Sequence, residues 1–163
     1  MAAIATLSDR NVRPLTADDV ERVIAIDRAH SGQDRRSFFE RRFAAAKSNP
    51  GDFVHIGVTR GDSLRGFATA RILRGEFGRA HAVAVLDGLG VEIEGQERGI
   101  GQSLMNELVR NMRDMGVQSL QSQAAWTNRD LLRFFAGSGF TLAPRFALER
   151  SVVEPLAERS EDV

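Results

Sequence analysis

The sequence has no cysteine and no tyrosine, and Lys47 is the single lysine among its 22 basic residues. Without cysteine there is no disulfide, no thiolate metal site and no catalytic thiol. Without tyrosine there is no phenol to act as a proton donor. The histidines His30, His55 and His81 are scattered without metal-ligand spacing, so no metal is expected. No apolar run approaches the roughly 20 residues that span a bilayer. The opening residues, MAAIATLSDRN, lack the basic and long apolar regions of a signal peptide. No membrane association and a cytoplasmic location are therefore expected. The 22 acidic residues balance the 22 basic ones, which argues against a broad electrostatic surface for nucleic acid.

What is present fits one globular unit. A chain of 163 residues suffices for a single core. Residues 1–10 are small and polar and read as a flexible N-terminus, 11–152 as one domain, and 153–163 as an acidic C-terminal tail. A short extended segment at 11–15 is followed by Thr16 as an N-cap, with Asp18 and Asp19 in the first turn of a helix that runs to about residue 30. Phe38, Phe39, Phe43 and Ala46 form the apolar stripe of a second helix, 34–47. Two alternating segments, 53–58 and 64–73, form a hairpin. A third strand covers 80–92. Ile100, Leu104, Leu108 and Met112 recur at helical spacing up to Gly116. A strand at 117–126, a short helix opened by Thr127 or Asn128, and one or two strands within 140–152 complete the order β-α-α-β-β-β-α-β-α-β. The expected fold is α/β in the α+β sense, with a mixed sheet and helices on both faces.

The segment Gln96-Glu97-Arg98-Gly99-Ile100-Gly101 joins the third strand to the amphipathic helix. The first N–H groups of a helix lack intrahelical partners and carry positive partial charge. Gly99 and Gly101 admit a bulky anion close to the backbone, and Arg98 adds a cation, which suits a diphosphate. A Walker loop is excluded by the missing Gly-Lys-Ser/Thr ending. A dinucleotide fingerprint is excluded by Leu104 where its third glycine belongs. A glycine-rich helix start with no ligand remains the alternative.

The stretch LGVEIEGQERGIGQSLMNEL resembles the acetyl-CoA motif of the GNAT superfamily, whose signature is Gln/Arg-x-x-Gly-x-Gly/Ala, matched here by Gln96, Gly99 and Gly101. A second GNAT signature, an asparagine opening a helix and a later Gly-Phe, is similar to Asn128 and Gly139-Phe140. The resemblance spans about 11–152 and is strongest from 86 to 140. It implies acetyl-CoA as co-substrate, an unidentified amine as acceptor, a mostly antiparallel sheet and a splayed strand pair at the cofactor site, where the strand before the loop parts from its neighbour at a bulge. It places Leu89, Gly90 and Val91 along the pantetheine arm, with the Val91 N–H as oxyanion donor. It assigns the diphosphate to Gln96, Glu97, Arg98, Gly99, Ile100, Gly101 and Gln102, and a cofactor contact to Asn128. Homodimers are common in the family. Glu97 departs from the pattern, which often has glycine there. Phe135 stands where GNATs commonly carry the tyrosine acid. It is able to pack on the sulfur but not to donate a proton.

Acetyl transfer to an amine needs a neutral amine, a stabilised oxyanion and a departing thiolate. Asp87 and Glu92 are the candidate bases on the third strand, Glu92 the preferred one because the strand end meets the cofactor there; strict alternation would turn them to opposite faces, with Asp87 sharing the face of Leu89 and Val91. Both acids also read as ordinary solvated carboxylates. Asp27 and His30 end the first helix, where the turn to the second lines the acceptor site in the family; His30 reads either as a further candidate base or as a merely exposed histidine. Two functions stay open: an N-acetyltransferase (EC 2.3.1.-) acting by direct attack, or a non-catalytic acyl-CoA-binding regulator without the tyrosine acid.

Overall fold

A computed structural model describes residues 10–75, 80–93 and 99–153. Its elements are β1 (Arg10–Pro14), α1 (Val20–Ser31), α2 (Arg36–Ser48), β2 (Phe53–Arg60), β3 (Ser63–Leu73), β4 (Val83–Val91), α3 (Ile100–Asp114), β5 (Ser119–Gln121) and α4 (Arg129–Gly137). The strands lie in sequence order in one sheet. The first three junctions are antiparallel and β4–β5 is parallel. The parallel junction follows from the crossover through α3, since parallel neighbours need a connection long enough to return to the same end.

Each face of the sheet has its own apolar layer. Ile100, Leu104, Leu108 and Met112 of α3 pack on Val54, Ile56, Ala68 and Leu86, and Phe135 of α4 joins them. Val23 and Ile26 of α1 and Phe39 of α2 pack with Phe67 on the opposite face. Helices therefore cover both faces of a mixed sheet, as the element order implied, and the sheet is mostly antiparallel, as the resemblance implied. Asp19 fixes the entry to α1. Its carboxylate accepts the Thr16 N–H at 2.8 Å and two Arg13 hydrogen bonds at 2.8 Å.

Three boundaries differ from expectation. The first strand begins at Arg10, inside the segment read as a flexible terminus. The strand expected at 117–126 is confined to Ser119–Gln121, because its pairing with β4 stops at Val85↔Gln121. The strands expected within 140–152 are absent from that described stretch, where Leu142, Phe146 and Leu148 are each more than 90% exposed. Alternation creates strand potential, but a strand also needs an edge to pair with, and none among the described residues meets this segment.

Candidate functional site

The site is built on an irregularity in β4. In its register with β3, Ala70 pairs with Leu86 and Thr69 with Gly88, so Asp87 is an extra residue with no partner of its own. A bulge of this kind breaks the alternation of faces. Before it, Ala84 and Leu86 belong to the α3-side layer. After it, Leu89 and Val91 pack against that same layer. Asp87 turns to the other face, where Arg42 of α2 donates Nε–H to its carboxylate at 2.8 Å and Thr69 donates its hydroxyl at 2.9 Å. Glu92 lies on this face too, held by Arg22 of α1 and Arg65 of β3. The expectation that Asp87 shares the face of Leu89 and Val91, opposite Glu92, is thus corrected. Strict period two does not survive the bulge.

The same bulge redirects the backbone. Upstream, the Ala82 carbonyl accepts the Gln118 N–H and the Leu86 carbonyl accepts the Ser122 hydroxyl, so the even-numbered residues point toward β5. Downstream, the Glu92 N–H goes to the Arg65 carbonyl at 2.7 Å, toward β3. By alternation the Leu89 and Val91 N–H and C=O groups point the other way, to the side where β5 pairing has ended. β4 and β5 thus pair at one end and part at the other, leaving a stretch of edge that no strand among the described residues pairs. Gly88 and Gly90 are required by packing. A Cβ on Gly88 would lie 2.4 Å from the Thr69 hydroxyl, and one on Gly90 2.7 Å from the Phe67 ring.

The N-terminus of α3 opens near the end of β4. Gly99 has φ +98°, a left-handed conformation that favours glycine. Its carbonyl accepts the Ser103 N–H at 2.9 Å, so the N–H groups of Ile100, Gly101 and Gln102 precede the first intrahelical bond. Among the described residues no side chain caps this end. Ile100 is buried beneath it. The Gln102 side chain donates to Asn106 at 3.0 Å along the helix. Gln96, Glu97 and Arg98 lie outside the described residues. Sequence reasoning missed Arg10, whose guanidinium lies 3.7 Å from where a Cβ of Gly99 would stand. A lone arginine ahead of the first apolar segment carries no signal of that placement.

The remaining candidates divide clearly. The His30 Nε2 hydrogen-bonds the Val91 carbonyl, which brings this exposed histidine to the open edge of β4. Asp27, one turn earlier, is buried and turned inward, where it receives Arg35 at 2.9 Å. Burial raises its pKa above the usual carboxylate range, opposed by Arg35. The Arg65 and Arg22 guanidinium groups hold the Glu92 carboxyl below that range. Asn128 caps α4, its Oδ1 accepting the Leu131 N–H at 3.2 Å. Phe135 is buried, its ring 4.7 Å from that of Phe140 and 6.0 Å from that of Phe134. Ser138, the other hydroxyl near α4, lines a groove with Gln102, Asn106 and Val109 of α3. A cavity of about 280 Å³ lies between β1, β2 and the C-terminal half of α3, lined by Val12, His55 and Met115 and by no residue of β4. Among the described residues no helix is long and apolar enough to cross a membrane, and no group of acidic residues and histidines is placed to hold a metal ion.

Residues 20–140 match the model of the acetyltransferase (GNAT) family. No curated protein sequence matches the chain significantly. Solved structures share its fold. A transcriptional regulator from Bacillus halodurans C-125 superposes with TM-score 0.74 at 18% identity, covering 87% of this chain and 99% of that one. The aminoglycoside acetyltransferase meta-AAC0020 from an uncultured soil metagenomic sample, in complex with sisomicin, gives 0.70 at 15% identity over 90% of this chain and 97% of its own. AAC(6')-Iy in complex with the bisubstrate analogue CoA-S-monomethyl-acetylneamine gives 0.69 at 17% identity over 88% and 99%. With the family model covering most of the sequence, the two signatures and the parted β4–β5 pair have a common explanation: this chain belongs to the GNAT acetyltransferase family.

Proposed function

We propose that this protein transfers the acetyl group of acetyl-CoA to a primary amine of a small molecule or protein. The observation that carries the reading is the edge of β4 after the Asp87 bulge, which no strand among the described residues pairs, with the Leu89 and Val91 backbone groups facing it. An extended amide-bearing arm is recognised by such an edge, as a strand would be. The uncapped N-terminus of α3 fits the diphosphate at the other end of the same ligand. Acetyl-CoA supplies an activated thioester. Leu89, Gly90 and Val91 hold its arm, the Val91 N–H stands as donor to a developing oxyanion, and the α3 N-terminus, with Arg10 beside it, takes the diphosphate.

Proton removal from the acceptor falls to His30 in this reading. Glu92 is a poor base, because two arginines stabilise its ionised form. Both Asp87 carboxylate oxygens are occupied, by Arg42 and Thr69. The Val91 carbonyl only accepts hydrogen bonds, so His30 must donate Nε2–H to it, which leaves Nδ1 with the lone pair of the neutral ring. That nitrogen is placed to take a proton directly or through water. With Phe135 in the tyrosine position the thiolate leaves without a phenol donor, and a thiol of ordinary pKa, about 8.5, allows this. The structural neighbours that acetylate aminoglycosides make amino sugars one acceptor class to try first.

The test is thiol release from acetyl-CoA with amino sugars, peptides and small amines. Release above hydrolysis with one class supports transfer, and none with any class overturns it. The buried phenylalanine favours one second reading, a non-catalytic acyl-CoA-binding regulator. Calorimetry would then show coenzyme A binding without turnover.

A further inference from the structure

Asp27, Arg35, Arg42 and Asp87 form a network that acetyl transfer does not use directly. Arg35 precedes α2, and Arg42 follows seven residues later, two turns along. Arg42 and Thr69 occupy the Asp87 carboxylate. Arg35 donates one nitrogen to the Asp87 main-chain carbonyl at 3.2 Å and the other to the buried Asp27 carboxylate at 2.9 Å. Its guanidinium also lies over the rings of Phe38 and Phe39, 4.5 and 5.2 Å from their centroids. Asp87 is the inserted residue of the bulge, so its carbonyl has left the regular ladder and needs a donor from elsewhere. α2 therefore grips the bulge twice, once by the side chain and once by the backbone.

A bulge is a place where register can slip, because removing the extra residue from the loop of chain between two pairings restores ordinary alternation. Here such a slip would turn the Leu89 and Val91 N–H groups away from the open edge. A tie to the Asp87 carboxylate alone would tether the side chain and leave its peptide plane free to rotate. The tie to the carbonyl fixes that plane. The planar fork of arginine serves both acceptors in one fixed geometry, which a lysine ammonium does not reproduce.

We propose that Arg35 is a positioning residue that locks the peptide plane of Asp87, with Asp27 as the buried anion that orients it, so that the β4 edge beyond the bulge keeps its outward-facing N–H groups. The assignment rests on the acetyltransferase reading for its kinetic consequence and on the structure alone for its effect on the edge.

The test pairs Arg35→Met with the double variant Asp27→Asn/Arg35→Met. Methionine keeps an apolar stem over the phenylalanines. The single variant strands a buried carboxylate and is expected to lose stability. The double variant removes that charge, so its Tm should return toward wild type. If Arg35 only supports the fold, kcat returns with Tm. If it positions the edge, kcat stays at least about tenfold down with KM for acetyl-CoA also raised, while Arg35→Lys fails to rescue. Amide hydrogen exchange at Gly88 and Gly90, whose N–H groups face β3, compared with 83–85, reads the register of the edge without any substrate. Faster exchange confined to Gly88 and Gly90 in the double variant supports the assignment, and an unchanged pattern overturns it. Should wild type show no transfer with any amine, the functional reading falls and the exchange measurement still decides the role of Arg35.

Discussion

Gly101 lies directly beneath the Phe134 ring: a methyl group there would come within 2.9 Å of its Cε2. This places the second glycine of the loop signature at a helix–helix contact, where α3 and α4 touch through one missing side chain. Gly101→Ala is therefore expected to cost about 1–3 kcal/mol as an overpacking change. Phe134→Leu in the same chain should recover part of that loss. Urea midpoints of the single and double variants check it. A Gly101→Ala protein as stable as wild type, yet defective in coenzyme A binding, would instead assign this glycine to the ligand alone.

His30 and Glu92 give opposite predictions although both sit at the end of β4. Removing a general base costs roughly 10² to 10⁴ in rate. His30→Gln should lower kcat on that scale. Glu92→Gln should leave kcat close to wild type, because the carboxylate is already claimed by Arg22 and Arg65. Steady-state rates for the two variants, with the acceptor that wild type uses, decide between them. The reverse pattern would return the role to the carboxylate.

Most of the architecture was legible because it rests on local signals. The α3 stripe from Ile100 to Met112 and the alternation of Val54, Ile56 and Val58 each announce one element and one buried face. What was not legible depends on pairs distant in sequence. The resemblance implied a bulge on this strand, but its place at Asp87 exists only relative to Thr69 and Ala70 across the sheet, and nothing in the sequence around it marks which residue is inserted. Once the bulge is known, the faces of Asp87 and Glu92 follow. The glycines at 99 and 101 were legible as a candidate anion site, but Arg10 reaches Gly99 from the other end of the sheet order, which no spacing rule connects. At the C-terminus the error ran the other way. The pattern of Phe146 and Leu148 is that of a strand, and pattern alone does not supply an edge.

His55 provides a pH signature of the fold. Its ring packs 4.9 Å from that of Phe43 and 5.7 Å from that of Phe53, and its Nε2 is buried without a protein partner. Burial lowers its pKa, with Arg42 adding to the shift and Asp87 opposing it. The unfolded chain thus binds this proton more readily than the folded one. Stability from this group is complete above the unfolded histidine pKa, about 6.5, and is lost progressively as pH falls below it. The loss levels off once the folded pKa is passed. Urea melts between about pH 7 and 5 should show the decline, and His55→Phe should flatten it. An equal slope in the variant would place the titration elsewhere.

Phe135 and Phe146 separate core from surface within a dozen residues. Phe135 is 8% exposed and joins α4 to the α3-side layer, whereas Phe146 is 94% exposed. Phe135→Ala should cost about 3–5 kcal/mol, the scale of a large aromatic removed from a packed interior. Phe146→Ala should lie within about 0.5 kcal/mol of wild type, as surface substitutions do. Phe135→Tyr adds the missing phenol, but its hydroxyl enters a packed ring cluster and must find a partner or cost stability. If proton donation to the thiolate limits turnover, the tyrosine variant gains kcat despite a lower Tm. If the thiolate leaves unaided, as the buried ring implies, Tm falls and kcat does not rise. Thermal melts and initial rates on the same three variants distinguish the outcomes, and a Phe146→Ala protein destabilised as far as Phe135→Ala would show that the C-terminal segment packs in solution after all.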